Sequence, residues 1–247
     1  MSDDELNWRV EEACRAAWPS PREAVLEGWL LRAGGGAIRR VNSLNPLRGG
    51  PGDPGPVVAA VERAYAGLGQ PAIFRAPDIA EGMAARLSGL GYAAESETAT
   101  LLCERGAALG GDAELSPIAS REWLAARARL SAADAAESQR YETMLNLIEV
   151  PKMFAASRQA GAIAGLAYCV LHDGLAVIES VVTNAALRRR GHGRQVVASL
   201  LGWAWSAGAE AACLQVVADN APALALYRAL GFTREAYRYR YFRKVPA

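Results

Sequence analysis

A chain of 247 residues with 27 basic and 26 acidic side chains has a formal net charge of +1, so no global field gathers polyanions, which argues against a dedicated nucleic-acid binder. Its apolar runs are short and broken by charge, well below the ~18 to 20 residues of a membrane span. The acidic start MSDDELNWRV lacks the basic and apolar regions of a signal peptide, so a cytoplasmic protein with no membrane partner is expected. Cys14, Cys103, Cys169 and Cys213 are scattered without CxxC spacing, as expected for reduced, mostly buried thiols. His172 and His192 are the only histidines, so no histidine-rich metal site is expected.

In chain order, residues 4 to 18 carry apolar side chains at helical spacing and stop at Trp18-Pro19-Ser20-Pro21. EGWLLRA and AIRRVNSL read as two strands joined by a turn at Gly34-Gly35-Gly36. A second glycine-rich loop, RGGPGDPGP, leads to a helix over VVAAVERAYAGL, a strand over AIFRA and a helix over IAEGMAARLSGLGY. The alternating ETATLLCE closes this half, and RGAALGGDAE, residues 105 to 114, is the best linker. Beyond it, REWLAARARL and ADAAESQRYETMLNLIE read as helices, and KMFAASR, AIAGLAYCVLH and LAVIESVVT as strands. After the loop RRRGHGR come helix RQVVASLLGWAWSAG, strand CLQVVAD, helix PALALYRALGF and strand REAYRYRYF. Strands and helices mixed in this way predict helices packed on a sheet, in an α/β or α+β domain.

The two halves match at an offset of 140 residues. Gly231 falls on Gly91, Leu230 on Leu90, Glu235 on Glu95, Ala212 on Ala72, Val197 on Val57 and Val181 on Val41. Leu187 and Arg188 fall on Leu47 and Arg48. The offset runs without a gap from a strand through helix, strand, helix and strand, which predicts a fused tandem of two related units. Alanine-rich helices also align easily by chance. The expected division is 1–112 and 113–247.

The arginine loop lies between a predicted strand and a predicted helix. A loop entering a helix presents unpaired N–H groups and the positive end of the helix dipole, where phosphate binds readily. Gly191 and Gly193 lack β-carbons and let a phosphate approach the main chain, and arginines clasp it with forked donors. There is no GxxxxGK[ST], and a GxGxxG count from Gly191 reaches Val196 in place of its third glycine. What remains is Arg188-x-x-Gly191-x-Gly193.

That segment resembles the pyrophosphate-binding motif Q/R-x-x-G-x-G/A of the GCN5-related N-acetyltransferases. VVADNAPALALYRALGF resembles a second signature of that family, a strand, an asparagine and a tyrosine-bearing helix ending in Leu-Gly-Phe. The resemblance covers roughly residues 115 to 243. Together with the offset it implies an α+β fold of two such units in tandem, each a mostly antiparallel mixed sheet flanked by helices; the offset sets Leu87, Ala80, Pro51 and Asp53 against Tyr227, Asn220, Gly191 and Gly193, so the N-terminal unit is expected to be degenerate. It also implies acetyl-coenzyme A as donor, with its pyrophosphate on residues 189 to 194, including Arg189, Arg190, His192 and Arg194 besides the motif residues. The pantetheine would pair with Val181, Val182 and Thr183, Asn220 would meet the cofactor, and Tyr227 would lie near the thioester sulfur. Seven residues is about two helical turns, so Asn220 and Tyr227 share a helix face.

The reaction so implied is direct attack by a primary amine of a small molecule or peptide. It needs a proton acceptor, for which Glu179 on the strand before the loop is the first choice. It needs a backbone donor for the oxyanion, near Val182, and a proton for the thiolate, from Tyr227. Arg140, Tyr141 and Glu142 fall where the family contacts its acceptor. Each residue has a plainer reading: Glu179 on a solvated strand or paired with an arginine, Tyr227 in helix packing, Asn220 as a helix cap, and residues 140–142 on a solvated helix face. His192, between two glycines, suits a main-chain role. Cys169 and Cys213 read as core. Binding of an acyl-coenzyme A without turnover, by a sensor or regulatory module, is the rival function, and nucleic-acid binding through residues 188–194 is another. The expected assembly is a monomer whose tandem mimics a dimer, or a homodimer, with no bound metal.

Overall fold

The computed structural model describes residues 2–106 and 110–244. The element order begins with α1 (Asp3–Ala17), β1 (Glu23–Leu26), β2 (Trp29–Arg32), β3 (Leu44–Pro46), α2 (Val58–Gly67), β4 (Phe74–Pro77), α3 (Met83–Gly89) and β5 (Ala93–Glu104). It continues with β6 (Glu114–Ser116), α4 (Arg121–Ser131), α5 (Ala135–Asn146), β7 (Lys152–Gln159), β8 (Ala162–His172) and β9 (Leu175–Thr183). The last elements are α6 (His192–Ser206), β10 (Ala211–Val217), α7 (Ala221–Ala229) and β11 (Arg234–Arg243). The expected linker, 105–114, includes residues 107–109, which lie outside the described residues.

All eleven strands join one sheet in the order β1-β2-β3-β4-β11-β5-β10-β9-β8-β7-β6. Among the described residues only β3–β4 and β9–β10 pair in parallel. The fold is therefore the expected α+β, with a mostly antiparallel mixed sheet flanked by helices. The order also reads as a near-palindrome about its centre. β5 lies between β10 and β11, while β11 lies between β4 and β5. Each half thus places its last strand between the last two strands of the other.

Alternation along the strands sends neighbouring residues to opposite faces. Tyr237, Tyr239 and Tyr241 pack with Val10, Ala13, Cys14 and Ala17 of α1 and with buried residues of α4 and α5. On the other face, Val197, Leu200 and Leu201 of α6 and Tyr227 of α7 cover β8, β9 and β10, while α2 and α3 cover β2 to β4. The 0, 3, 4, 7 spacing of Val10, Ala13, Cys14 and Ala17 makes the buried stripe that the sequence predicts for this helix.

Two parts of the N-terminal half depart from the pattern read in the sequence. Residues 37–44, read as one strand, instead form a 3-10 turn at Arg39–Val41 and reach the sheet only at Leu44. The buried Asn42 side chain is the physical reason. It accepts from Gly35 N–H at 2.8 Å and donates to the carbonyls of Gly35, Gly36 and Ile38 at 3.0, 3.2 and 2.9 Å, replacing a strand ladder with a pinned loop. The second departure is β1, whose mostly exposed residues give no alternation to read.

One buried ion pair fastens α1 to the sheet centre. Arg75 of β4 binds Glu11 through both terminal nitrogens, Nη2 at 3.0 Å, and Tyr237 donates to the same carboxylate at 2.5 Å. Burial alone would raise the Glu11 pKa. The Arg75 charge and hydrogen bond, with that from Tyr237, outweigh burial and hold it below the ordinary 4.5. A depressed carboxyl contributes stability above its unfolded pKa, and that stability is lost as pH falls through the folded value. Glu11→Gln should therefore cost about 3 kcal/mol at neutral pH, because Arg75 keeps its buried charge without a counter-ion. The deficit should shrink as pH drops below about 4.5, as read from urea midpoints against pH.

Candidate active site

β9 runs parallel to β10 only as far as the Ile178↔Leu214 pair. Ser180 then takes φ +53°, and the register against β8 slips between Tyr168↔Glu179 and Leu166↔Val182. An extra residue of this kind bends its strand, whereas β10 keeps its pairing with β5 through Val217↔Thr98. The parallel strands part, and Val182 and Thr183 are left paired on the β8 side alone.

The loop after β9 enters α6 through Gly191, whose φ is +89°. The first bond of the helix runs from Gln195 N–H to the Gly191 carbonyl at 2.9 Å. Main-chain N–H groups of residues 189–194 have no acceptor among the described residues. Arg188, Arg189, Arg190 and Arg194 are exposed and make no ion pair among the described residues. Six unpaired amides with four free guanidinium groups form a donor set suited to a compact polyanion.

The two glycines serve this loop differently. Gly191 faces open space, and its left-handed backbone is what demands glycine. At Gly193 a β-carbon would lie 3.2 Å from Leu226 Cδ2 and 3.5 Å from Thr183 Cγ2, so its smallness lets α6 close against α7 and β9. His192 turns its ring inward, with Nδ1 2.8 Å from Ser157 Oγ, and Ser157 in turn bonds Gln195. Its Nε2 is buried without a hydrogen-bond partner among the described residues, and the group it offers an anion at the loop is its main-chain N–H.

Across the wedge, Tyr227 is buried on α7 with its ring edge-on to Phe232, the centroids 6.1 Å apart. Burial first, then the Glu179 charge, pushes its pKa up, so the phenol keeps its proton. The hydroxyl has no hydrogen-bond partner among the described residues. Asn220 caps α7 by accepting from Ala223 N–H at 3.3 Å and is itself exposed. Glu179 sits at the bulge and is buried, not solvated, with Oε1 2.5 Å from Arg40 Nη1. Burial raises its pKa above the ordinary range against the opposing pull of Arg40.

A family profile described as "Probable histone acetyltransferase Rv0428c C-terminal" matches residues 8–242. The chain belongs to this family, within the GCN5-related N-acetyltransferases. It is 26% identical over 235 residues to the uncharacterized N-acetyltransferase YobR of Bacillus subtilis, covering 91% of this chain and 94% of that protein. Two solved structures share its fold. A GCN5-related N-acetyltransferase from Kribbella flavida has a TM-score of 0.71 at 19% identity, covering 99% of this chain and 96% of that one. A tandem GNAT protein from the clavulanic acid biosynthesis pathway has a TM-score of 0.63 at 15% identity, covering 96% and 88%. No helix among the described residues is long and apolar enough to cross a membrane.

The three residues expected on the acceptor side of this acetyltransferase do not stay together. Tyr141 is buried and donates to Ser180 Oγ at 2.8 Å, which ties α5 to the bulge. Arg140 is exposed beside the glycine loop, where its side chain closes over Gly36 and leaves no room for a β-carbon there. Glu142 turns to a separate cavity with Lys152 and Phe154. Residues missed in the sequence are Arg40 and Trp18, whose ring centroid lies 5.1 Å from the Arg40 guanidinium carbon. No period or motif in the sequence marks Arg40 as the partner of Glu179, 139 residues away.

Proposed function

We propose that this acetyltransferase uses acetyl-coenzyme A to acetylate a primary amine by direct attack. The observation that carries the reading is the set of six unpaired amides at the mouth of a strand wedge that leads to Glu179 and Tyr227. Those donors and the left-handed Gly191 fit a pyrophosphate, and the unpaired edge of residues 181–183 fits an extended amide-bearing arm. When bound, the cofactor supplies an activated acyl carbon, whose bond to sulfur breaks as its bond to the amine nitrogen forms.

This chain's residues do the rest. Residues 188–194 bind the diphosphate, with Arg188, Arg189, Arg190 and Arg194 outside and the amides within, and Asn220 meets the arm as the sheet opens. Beside Val182, whose own N–H turns toward Leu166 of β8, the N–H of Val181 or Thr183 faces the wedge and donates to the acyl oxygen. Glu179 takes the proton that the amine sheds, its raised pKa making it a stronger base than an ordinary carboxylate. Tyr227 gives its proton to the departing sulfur. Four arginines in one short loop suit a single diphosphate, not a nucleic-acid track.

We further propose that residues 1–112 and 113–247 are related units and that the first has lost the cofactor. The palindromic strand order and the repeat offset support this. At the offset, Leu87 stands for Tyr227 and is fully buried, Ala80 stands for Asn220, and Pro51 and Asp53 stand for the two glycines. Asp53 instead accepts from Arg86 at 3.0 Å and from Gly55 N–H at 2.8 Å. Thiol release with a panel of amines tests the activity. A calorimetric titration should give one acetyl-coenzyme A per chain, and two equivalent sites would overturn the division of roles.

Glu179→Gln should depress turnover most in the pH window between the folded pKa of Glu179 and that of the amine. Below the window the parent carboxyl is itself protonated, and above it the amine needs no base. A pH–rate profile superimposable on the parent's, in a variant shown to be folded by circular dichroism, would remove Glu179 from the mechanism.

A further inference from the structure

A cavity of about 100 Å³ opens where the two halves meet, lined by Trp18, Gly34, Gly35, Ile38, Tyr141 and Met144 among others. Its walls touch the bulge through two separate contacts. Trp18 carries the Arg40 guanidinium that holds Glu179, and Tyr141 donates to Ser180. The cavity thus lies one side chain, Trp18 or Tyr141, away from the groups that surround Glu179. Its walls are built to hold shape: Trp18 and Tyr141 meet at 60° with centroids 5.6 Å apart, and Asn42 pins the glycine loop by four bonds.

Charge around the cavity is one-sided. Arg40 stacks on Trp18, Arg127 lies 3.8 Å over Tyr141, and Arg140 packs on Gly36 at the rim. The carboxylates facing them are Glu179, bound to Arg40, and Glu137, 3.7 Å from Arg127. Arg140 has no hydrogen-bond or ion-pair partner among the described residues. A polycationic amine would meet this group with its second charge, whereas a carboxylate would pair with it. The apolar walls in turn leave the ammonium of a lysine-like arm no acceptor before it reaches Glu179.

Resting on the acetyltransferase reading, we propose that the acceptor is a small amine bearing both a carboxylate and a branched aliphatic or aromatic side chain, the class of the apolar α-amino acids. The side chain fills the cavity beside the touching Trp18 and Tyr141 rings, which by the scale of a ~150 Å³ cavity that takes benzene holds roughly a four- or five-carbon group. The carboxylate pairs with Arg140, and the amine points toward Glu179.

Calorimetry on the full chain with saturating coenzyme A tests the site without turnover. The probes are 4-methylpentanoate, which is leucine without its amine, and 4-methylpentanamide. The acid should bind about tenfold tighter than the amide, as one charge-assisted pair gives. Arg140→Gln, at an exposed position, should erase the difference while leaving amide binding unchanged. Ile38→Trp should abolish both by filling the cavity. In thiol-release assays leucine should exceed spermidine and a lysine-containing peptide at least about tenfold in kcat/KM. Equal binding of acid and amide, or no binding of either, would overturn the proposal. So would a preference for spermidine or the lysine peptide, although that outcome would uphold the acetyltransferase reading. Tight, Arg140-dependent binding of the acid with no thiol release from any amine would instead uphold the site and strike the acetyltransferase reading.

Discussion

Gly191→Val should weaken acetyl-coenzyme A binding by about three orders of magnitude in a protein that still folds. The φ of +89° at this position lies where a β-branched residue is a genuine outlier. Holding valine there costs on the order of 1–3 kcal/mol, and relaxing instead re-aims the N–H groups of residues 189–194, each charge-assisted bond being worth about 1.5–3 kcal/mol. Two such bonds lost on relaxation amount to about 4 kcal/mol, which is a factor of roughly 10³ in Kd. Because nothing lies within 4 Å of the missing β-carbon, the substitution touches the loop and not the core. Calorimetry that finds unchanged affinity in a folded variant would refute the main-chain grip.

Tyr227→Phe should lower turnover by ~10² to 10³-fold, within the range of general acid catalysis, with little change in cofactor affinity. Its ring is buried against Phe232, while its hydroxyl bonds nothing among the described residues. Losing the oxygen therefore leaves no protein partner stranded, and the packing of α7 survives. That separates a proton donor from a structural tyrosine. An equal loss of affinity and turnover would mark Tyr227 as a binding residue, and unchanged turnover would remove Tyr227 from the proton transfer to sulfur.

Most helices and the inner strands were legible because each carries its own period. Val10, Ala13, Cys14 and Ala17 repeat as one helix stripe, and Tyr237, Tyr239 and Tyr241 alternate as one strand face. The place of the arginine loop between a strand and a helix was legible from its glycines. Pairing partners were not, since β5 and β11 carry the same alternation whichever half they join. Residues 37–44 misled because their apolar spacing is strand-like, while a single asparagine side chain decides their path through bonds that no period encodes. Glu179 was visible as a carboxylate beside the loop. Its partner Arg40 lies 139 residues away, and only the topology brings them together.

The exchange of last strands also bears on how this chain is made. β4 gains its β11 neighbour, Phe74 to Pro77 against Phe242 to Tyr239, only when the far end of the chain has been synthesised. During translation the early half therefore emerges with β4 and β5 lacking the strand that will separate them, and β5 lacks β10 as well. Exposed strand edges are templates for wrong pairing. Emergence of β11, not of the first half, is thus the moment at which either half can close, and a nascent chain stalled short of residue 234 would present its sticky edges to its neighbours on the same messenger.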